Sequence, residues 1–230
     1  MDKIKRKLKT LKLEELNEIE NKYNFKYPEI YRKLSEDNML NWGEVCNSWF
    51  ENEYPKLKNN PPLLLYYWDF DIISSSKEVI DNIDFYSDEE CYLEIKKEYH
   101  YKFIPFGKTG GGDLYCFFLD ENNKIKHIVL LLHDDDNAEI LANTFQEFIF
   151  RYLLMCVIEL DKDMLIMEGN LNENCNNLFK THQKHLTDKQ KNIIHNIYKR
   201  TNITKLDDKE FNNILKENGF KNNTINCYSF

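Results

Sequence analysis

The sequence predicts an α+β fold: an antiparallel central sheet flanked by helices, with a C-terminal helical extension. Three observations predict it. Two segments of helical apolar spacing open the chain. Strand-like segments then follow one another between residues 63 and 132 instead of alternating with helices, and helical spacing returns afterwards. The composition allows such a fold. The 230 residues, 42% hydrophobic and 14% aromatic, supply a sizeable core, whereas 7 Gly and 5 Pro are too few for a collagen-like or broadly disordered chain.

Leu13, Leu16, Ile19, Glu20 and Tyr23 step at helical spacing and predict an amphipathic helix over 13–23. Pro28 suits the first turn of a second helix, Glu29 to Glu36, with Ile30, Tyr31 and Leu34 on one face. In 39–62, Trp42-Gly43 and Trp49-Phe50 mark packing sites and Asn59-Asn60-Pro61-Pro62 a loop. Leu63 to Trp68 is an apolar run of strand length, and Asp69-Phe70-Asp71-Ile72-Ile73 alternates as a half-buried strand does. Ser75 followed by Glu78 makes a capping box for a helix over 76–82.

Phe103-Ile104-Pro105-Phe106 reads as a strand, residues 107–113 as a turn, and Leu114 to Leu119 as the next strand. Asp120-Glu121-Asn122-Asn123 is a hairpin signal, after which Ile125 to Leu132 returns. His133-Asp134-Asp135-Asp136 then ends the sheet. A long packing helix is expected from Ala138 to Ile158, on the stripe Leu141, Phe145, Phe148, Tyr152 and Met155. Residues 168–184 are rich in Asn and read as a connector, with His182 and His185 solvated. Thr187 caps a helix through Lys199, and Asp207 with Glu210 caps another that stops at Gly219. The organisation is thus a basic segment over 1–12, an α+β domain over 13–159, and an Asn-rich connector with a helical extension over 160–230.

Charge is segregated along the chain. The net −8 combines +5 over residues 1–12, −18 over 13–179, +6 over 180–205 and −1 over the rest. An acidic body repels nucleic acid and attracts cationic surfaces, although acidity also serves solubility alone. The basic Lys3, Lys5, Arg6, Lys7, Lys9 and Lys12 lack interleaved aromatics for base stacking and read as a solvated face. No apolar run approaches a membrane span, and the basic N-terminus carries no apolar signal core. The six Cys form no Cys-x-x-Cys pair, and Cys116 and Cys156 fall in apolar runs as small core residues. The expectation is a cytoplasmic protein with no membrane and no nucleic-acid partner.

Catalytic motifs are not found. Gly107-Lys108-Thr109 lacks the preceding glycine of a phosphate loop, since position 102 is Lys, and it leads into a strand rather than a helix. Its glycines read as turn formers. His127 and the run His133 to Asp136 offer ligand types for a metal-dependent hydrolase, but no partner cluster is evident and the aspartates read instead as helix caps. No Gly-x-Ser-x-Gly is present, and no Cys sits in a pKa-lowering context. No metal and no cofactor are expected, and the chain is not expected to be an enzyme.

Taken together, several pieces resemble the SUKH superfamily, which includes the fungal cell-wall-synthesis regulator and bacterial immunity proteins. They are Leu16-Asn17-Glu18-Ile19-Glu20; Tyr27-Pro28-Glu29-Ile30-Tyr31-Arg32-Lys33-Leu34; Asn41-Trp42-Gly43; Phe103 to Gly107 through Gly111-Gly112-Asp113-Leu114-Tyr115; His133-Asp134-Asp135; and Phe145-Gln146-Glu147-Phe148. The resemblance spans about 13–158. It makes Trp42, Gly43, Pro105, Gly107, Gly111, Gly112 and Asp113 signature residues of structural turns. It implies a non-enzymatic binding domain, in bacteria an immunity protein that neutralises a cognate toxin, for instance a basic nuclease. A regulatory or scaffold module of the same fold is the alternative. On this reading the acidic Asp69, Asp71, Asp84, Asp88, Glu89 and Glu90 face a cationic partner, with Trp68, Trp49 and Tyr86 as anchors.

Overall fold

The computed structural model describes residues 11–43, 47–88, 95–201 and 205–228. The basic residues Lys3, Lys5, Arg6, Lys7 and Lys9, and also Glu89 and Glu90, therefore lie outside the described residues. The architecture is α+β, with six antiparallel strands and flanking helices.

Helices α1 (Leu13–Tyr23) and α2 (Glu29–Glu36) have the expected bounds. Asn24, left-handed at φ 52°, ends the first. Glu20 ties the two together. Its side chain is 1% exposed, and it accepts from the Tyr27 amide at 3.0 Å, Arg32 at 2.9 Å and Lys26 at 2.7 Å. Burial alone would raise the carboxyl pKa, but these donors outweigh it and hold the group below the usual carboxylate range.

Two short helices follow, α3 (Trp49–Asn52) and α4 (Tyr54–Leu57). The apolar run from Leu63 is not a strand. It curls through successive turns, with Leu65 N donating to Pro62 O, Tyr67 N to Leu64 O, and Leu64 left-handed at φ 53°. Pro61 and Pro62 have no amide to offer a ladder, and Leu63 to Tyr67 are buried as a plug while Trp68 turns outward. An apolar run alone does not separate a paired strand from a packed turn. The strand expected over 69–73 shrinks to β1 (Asp71–Ile72). Helix α5 (Ser76–Tyr86) starts at its Ser75 cap and outruns the expected 76–82, because Ile83 and Tyr86 continue the buried stripe begun by Val79.

The sheet continues with β2 (Phe103–Lys108), β3 (Leu114–Leu119), β4 (Ile125–Leu131), β5 (Asn137–Ala142) and β6 (Thr224–Asn226). Spatial order equals chain order, and every pairing is antiparallel. Two expectations are corrected here. Residues 133–136 do not end the sheet but turn β4 into β5, with Asp135 Oδ1 accepting from Asn137 N at 3.1 Å. The long helix does not begin at Ala138: 137–142 is strand, and α6 spans Phe145–Met155. Thr144 Oγ1 accepts from Glu147 N at 3.1 Å, while Glu147 Oε2 accepts from Asn143 N at 2.9 Å, so the helix is capped at Thr144.

The expected Asn-rich connector contains a helix, α7 (Leu171–His182), capped by Asn170. Asn174 Nδ2 donates to Ile166 O and to Glu168 O, each at 2.9 Å. His182 and His185 are buried rather than solvated. Burial pushes the His182 imidazole down to about 4 and His185 in the same direction. Helices α8 (Asp188–Tyr198) and α9 (Asp208–Glu217) start at Thr187 and Asp207 as expected, and Gly219 stands just past the second at φ 84°.

The core lies on both faces of the sheet. On one, Ile104, Phe106, Tyr115 and Phe117 meet α1, α2 and α6, and the same cluster includes Leu178, Ile194 and Phe211. Tyr198 OH donates to Leu153 O at 2.7 Å. On the other face, Phe103, Cys116, Phe118, Val129 and Leu131 are covered by Ile95, Cys227 and Tyr228. Among the described residues, no helix is long and apolar enough to cross a membrane.

Candidate functional site

The segment between α2 and α5 folds into one wall of an aromatic groove. Trp42 is fixed by two bonds: its Nε1 donates to Leu63 O at 2.9 Å, and its carbonyl accepts from Trp49 Nε1 at 2.7 Å. Gly43 follows Trp42 in the left-handed region, at φ 82°. The Trp42 ring lies 5.9 Å from Phe70, and Phe70 lies 5.2 Å from Tyr115 on β3.

Phe70 sits directly over Gly107 of β2. A Cβ placed on Gly107 would lie 2.9 Å from Phe70 Cζ and closer still to Cε2. The signature residues Trp42 and Gly107 thus both pack against one phenyl ring. Gly107 is needed for close approach within a strand rather than for a turn.

The resulting groove has a cavity volume of about 650 Å³. Trp42, Trp49, Trp68, Tyr66, Tyr67 and Phe70 form its aromatic lining. Burial pushes the Tyr67 phenol up to about 12, so the ring enters the groove neutral. Met164 and Leu165 from the segment after α6 supply the facing wall, which Tyr54 OH holds through Leu165 O at 3.3 Å. Asp71, Asp161 and Asp163 stand at the rim, all exposed. Trp68 is 73% exposed, the most open large apolar side chain among the described residues.

The acidic set named from the sequence is distributed over several places. Asp71 lines the same groove as Trp68. Asp69 is half-buried and tied inward: its Oδ1 accepts from Gly110 N at 3.0 Å, and its carbonyl accepts from Tyr115 OH at 3.1 Å. Asp84 lies on α5, paired with Lys22 at 3.0 Å and bonded by Tyr23 OH at 2.9 Å. Asp88 is exposed beyond the end of α5. Of the aromatic anchors, Trp68 and Trp49 reach the groove, and Tyr86 is buried under the sheet's second face. Asp161, Asp163 and Leu165 are groove residues that sequence reasoning missed. Asp161 and Asp163 form an exposed acidic turn after a helix, but no linear signal tells which aromatic wall that turn folds against.

The glycine turn between β2 and β3 is locked by Asp113. Asp113 N donates to Thr109 Oγ1 at 3.0 Å, and Thr109 Oγ1 donates to Asp113 Oδ2 at 3.2 Å. Asp113 Oδ1 accepts from His133 N at 3.1 Å and lies 2.7 Å from His133 Nδ1. That hydrogen bond raises the His133 pKa. Gly112, at φ 108°, makes the bend, and Gly111 is open to solvent. Pro105 pairs with Cys116 just before a register shift in the β2–β3 ladder.

Asp113, His133 and Asp134 bring three ligand atoms within 4.8 Å of one another. The Asp113 oxygen nearest the imidazole is already used by two donors from His133, so the cluster works as a clamp between the signature turn and the end of β4. His127 stands opposite Phe118 at the far end of β4. His133 lies six residues further on, past the Leu131 end of β4, a separation of about 20 Å if the chain stays extended. The constellation weighed for a metal-dependent hydrolase is therefore not brought together.

The model of the SMI1 / KNR4 family (SUKH-1) matches residues 10–151, from the start of α1 into α6. No curated protein and no solved structure matches the chain. The family match covers well over half of the 230 residues, and the chain belongs to the SMI1 / KNR4 family. The groove straddles the edge of that match: Trp42, Trp68 and Asp71 lie inside it, and Asp161, Asp163 and Leu165 beyond it.

Proposed function

We propose that this member of the SMI1 / KNR4 family is a non-enzymatic protein-binding domain, and specifically an immunity protein that neutralises a cognate basic toxin by occupying it through the aromatic groove. The observation that carries this reading is the pairing of an open Trp68 with three rim carboxylates in a body of net −18 over residues 13–179. Soluble domains seldom leave a large aromatic open beside an apolar hollow unless something covers it. Tryptophan in such a hollow is a common hot-spot anchor. The acidic surround adds long-range attraction toward a cationic partner and raises its encounter rate by about 10–10³-fold at low salt.

The reading places the protein in the cytoplasm of the toxin-producing bacterium, where it acts before its partner reaches nucleic acid. A basic nuclease is the partner class that suits the charge, because phosphate-binding surfaces are themselves cationic.

The test is co-expression and co-purification with the product of the adjacent gene, at about 50 mM and about 500 mM salt, a range over which surface charge is progressively screened. The expected result is a tight complex whose association slows with salt and which abolishes the partner's toxicity. Replacing Asp71, Asp161 and Asp163 together by Lys should slow association at low salt by at least about tenfold. Association unchanged by that reversal would sink the steering argument. A neighbour that binds without being toxic would replace the immunity reading by the regulatory one.

A further inference from the structure

We propose that the groove receives a lysine or arginine side chain, carried by an extended and partly apolar segment of the protein partner, with the cation laid on Trp68 between Asp71, Asp161 and Asp163. The proposal rests on the reading above only for the source of the segment. Its chemistry comes from the groove itself.

The lining and the rim ask for different things from one ligand. Trp42 and Trp49 stand half-buried in the hollow, with their indole N–H groups already spent on Leu63 O and Trp42 O. They offer ring faces rather than donors, so the interior selects apolar stems. The rim is different: three carboxylates border it, and among the described residues none of them is paired with a lysine or arginine. Most other acidic side chains discussed above are engaged: Asp84 with Lys22, Glu20 with Lys26 and Arg32, and Asp113 with His133.

A ligand that satisfies both parts has an aliphatic stem and a cationic head. Lysine and arginine fit that description, and their heads bind well over an indole face. Two of the three carboxylates come from beyond the family match. The cation preference therefore belongs to this chain's own extension.

All three tryptophans of the chain lie in this groove, so intrinsic fluorescence reports on it directly. The experiment titrates the full chain with the peptide acetyl-Gly-Leu-Arg-Leu-Gly-amide and with the counterpart carrying Gln in place of Arg. The expected result is a fluorescence change at about tenfold lower concentration for the arginine peptide. The preference should shrink at about 0.5 M salt. It should vanish in D71N/D161N/D163N, whose substitutions are exposed and leave the fold intact. In W68A both peptides should bind more weakly, read from the two remaining indoles.

Equal binding of the two peptides, or no change with either up to about 10 mM, corresponding to under about 3 kcal/mol of binding, would overturn the proposal. Spermidine binding as tightly as the arginine peptide would overturn its protein-segment part. The titration needs no toxin. It can fail while the complex with the adjacent gene product forms, and it can succeed while that complex does not.

Discussion

Gly107→Ala tests the link between the signature turn and the groove. The added methyl would lie 2.9 Å from Phe70 Cζ and closer to Cε2, well inside van der Waals contact. Phe70 has little room to swing away, since its ring is 5.2 Å from Tyr115, 5.9 Å from Trp42 and 6.3 Å from Phe106. Gly107 itself pairs with Ile72 and Tyr115 in the ladder, so β2 cannot retreat freely either. Overpacking of a tight core typically costs about 1–3 kcal/mol, and the confinement on every side puts this variant at the upper end. In a chain of this size, that corresponds to a fall in Tm of about 6–12 °C.

The assay is urea unfolding followed by both circular dichroism and tryptophan emission. Because Trp42 leans on Phe70, the native emission of the variant should also shift. The double variant Gly107→Ala with Phe70→Leu should recover about 1–2 kcal/mol relative to the sum of the singles, the size of coupling expected between touching residues. Strict additivity, or a Gly107→Ala protein as stable as the parent, would refute the argument that glycine is present to make room for the ring.

Two further outcomes are expected. His182 has an ordinary imidazole pKa when unfolded and one pushed down to about 4 when folded. Its contribution is therefore present above about pH 6.5 and lost as pH falls toward 4, about 3 kcal/mol in all. His185 and Lys184 oppose its protonation further. Urea midpoints between pH 7.5 and 4.5 should drop steeply, and less steeply in His182→Gln; parallel curves would remove His182 from the acid limb. Tyr228→Ala removes a buried ring and its 2.7 Å bond to Leu132 O. About 3 kcal/mol should be lost, with increased binding of a hydrophobic dye as the second face of the sheet opens; unchanged dye binding would contradict the covering role.

The elements with strong local signals were legible in the sequence, and the failures have physical causes. Helices α1, α2, α8 and α9 announce themselves by caps or apolar stripes, and β3 and β4 by apolar runs on either side of a clear hairpin. The strand β5 was hidden because Leu141 falls on the same helical spacing as Phe145, Phe148 and Tyr152, so the stripe runs across a strand–helix junction. The signal that separates them is Thr144 followed by Glu147. Helix α7 was hidden by its asparagines, which are weak helix formers. Its stripe of Leu178 and His182 buries an imidazole that looks polar in sequence.

The aromatic side of the groove was half legible, because tryptophans attract notice wherever they fall. Its acidic side was not, since carboxylates abound in this chain. Only the fold separates Asp71 from Asp84, which Lys22 neutralises, and sets it beside Asp161 and Asp163.

The pairing of β5 with β6 joins residues 137–139 to residues 224–226, the widest sequence separation of any ladder in the sheet. During synthesis, five strands and the whole of α6 leave the ribosome while the outer β5 edge is still unpaired and the apolar second face still lacks part of its cover. They stay so until the segment carrying Cys227 and Tyr228 has emerged. A nascent chain of this kind passes through a window in which its longest-range ladder is missing and an unpaired edge is available to other chains. Lower temperature and slower expression should therefore raise the soluble yield, because they keep the concentration of waiting edges low while each chain completes its own sheet.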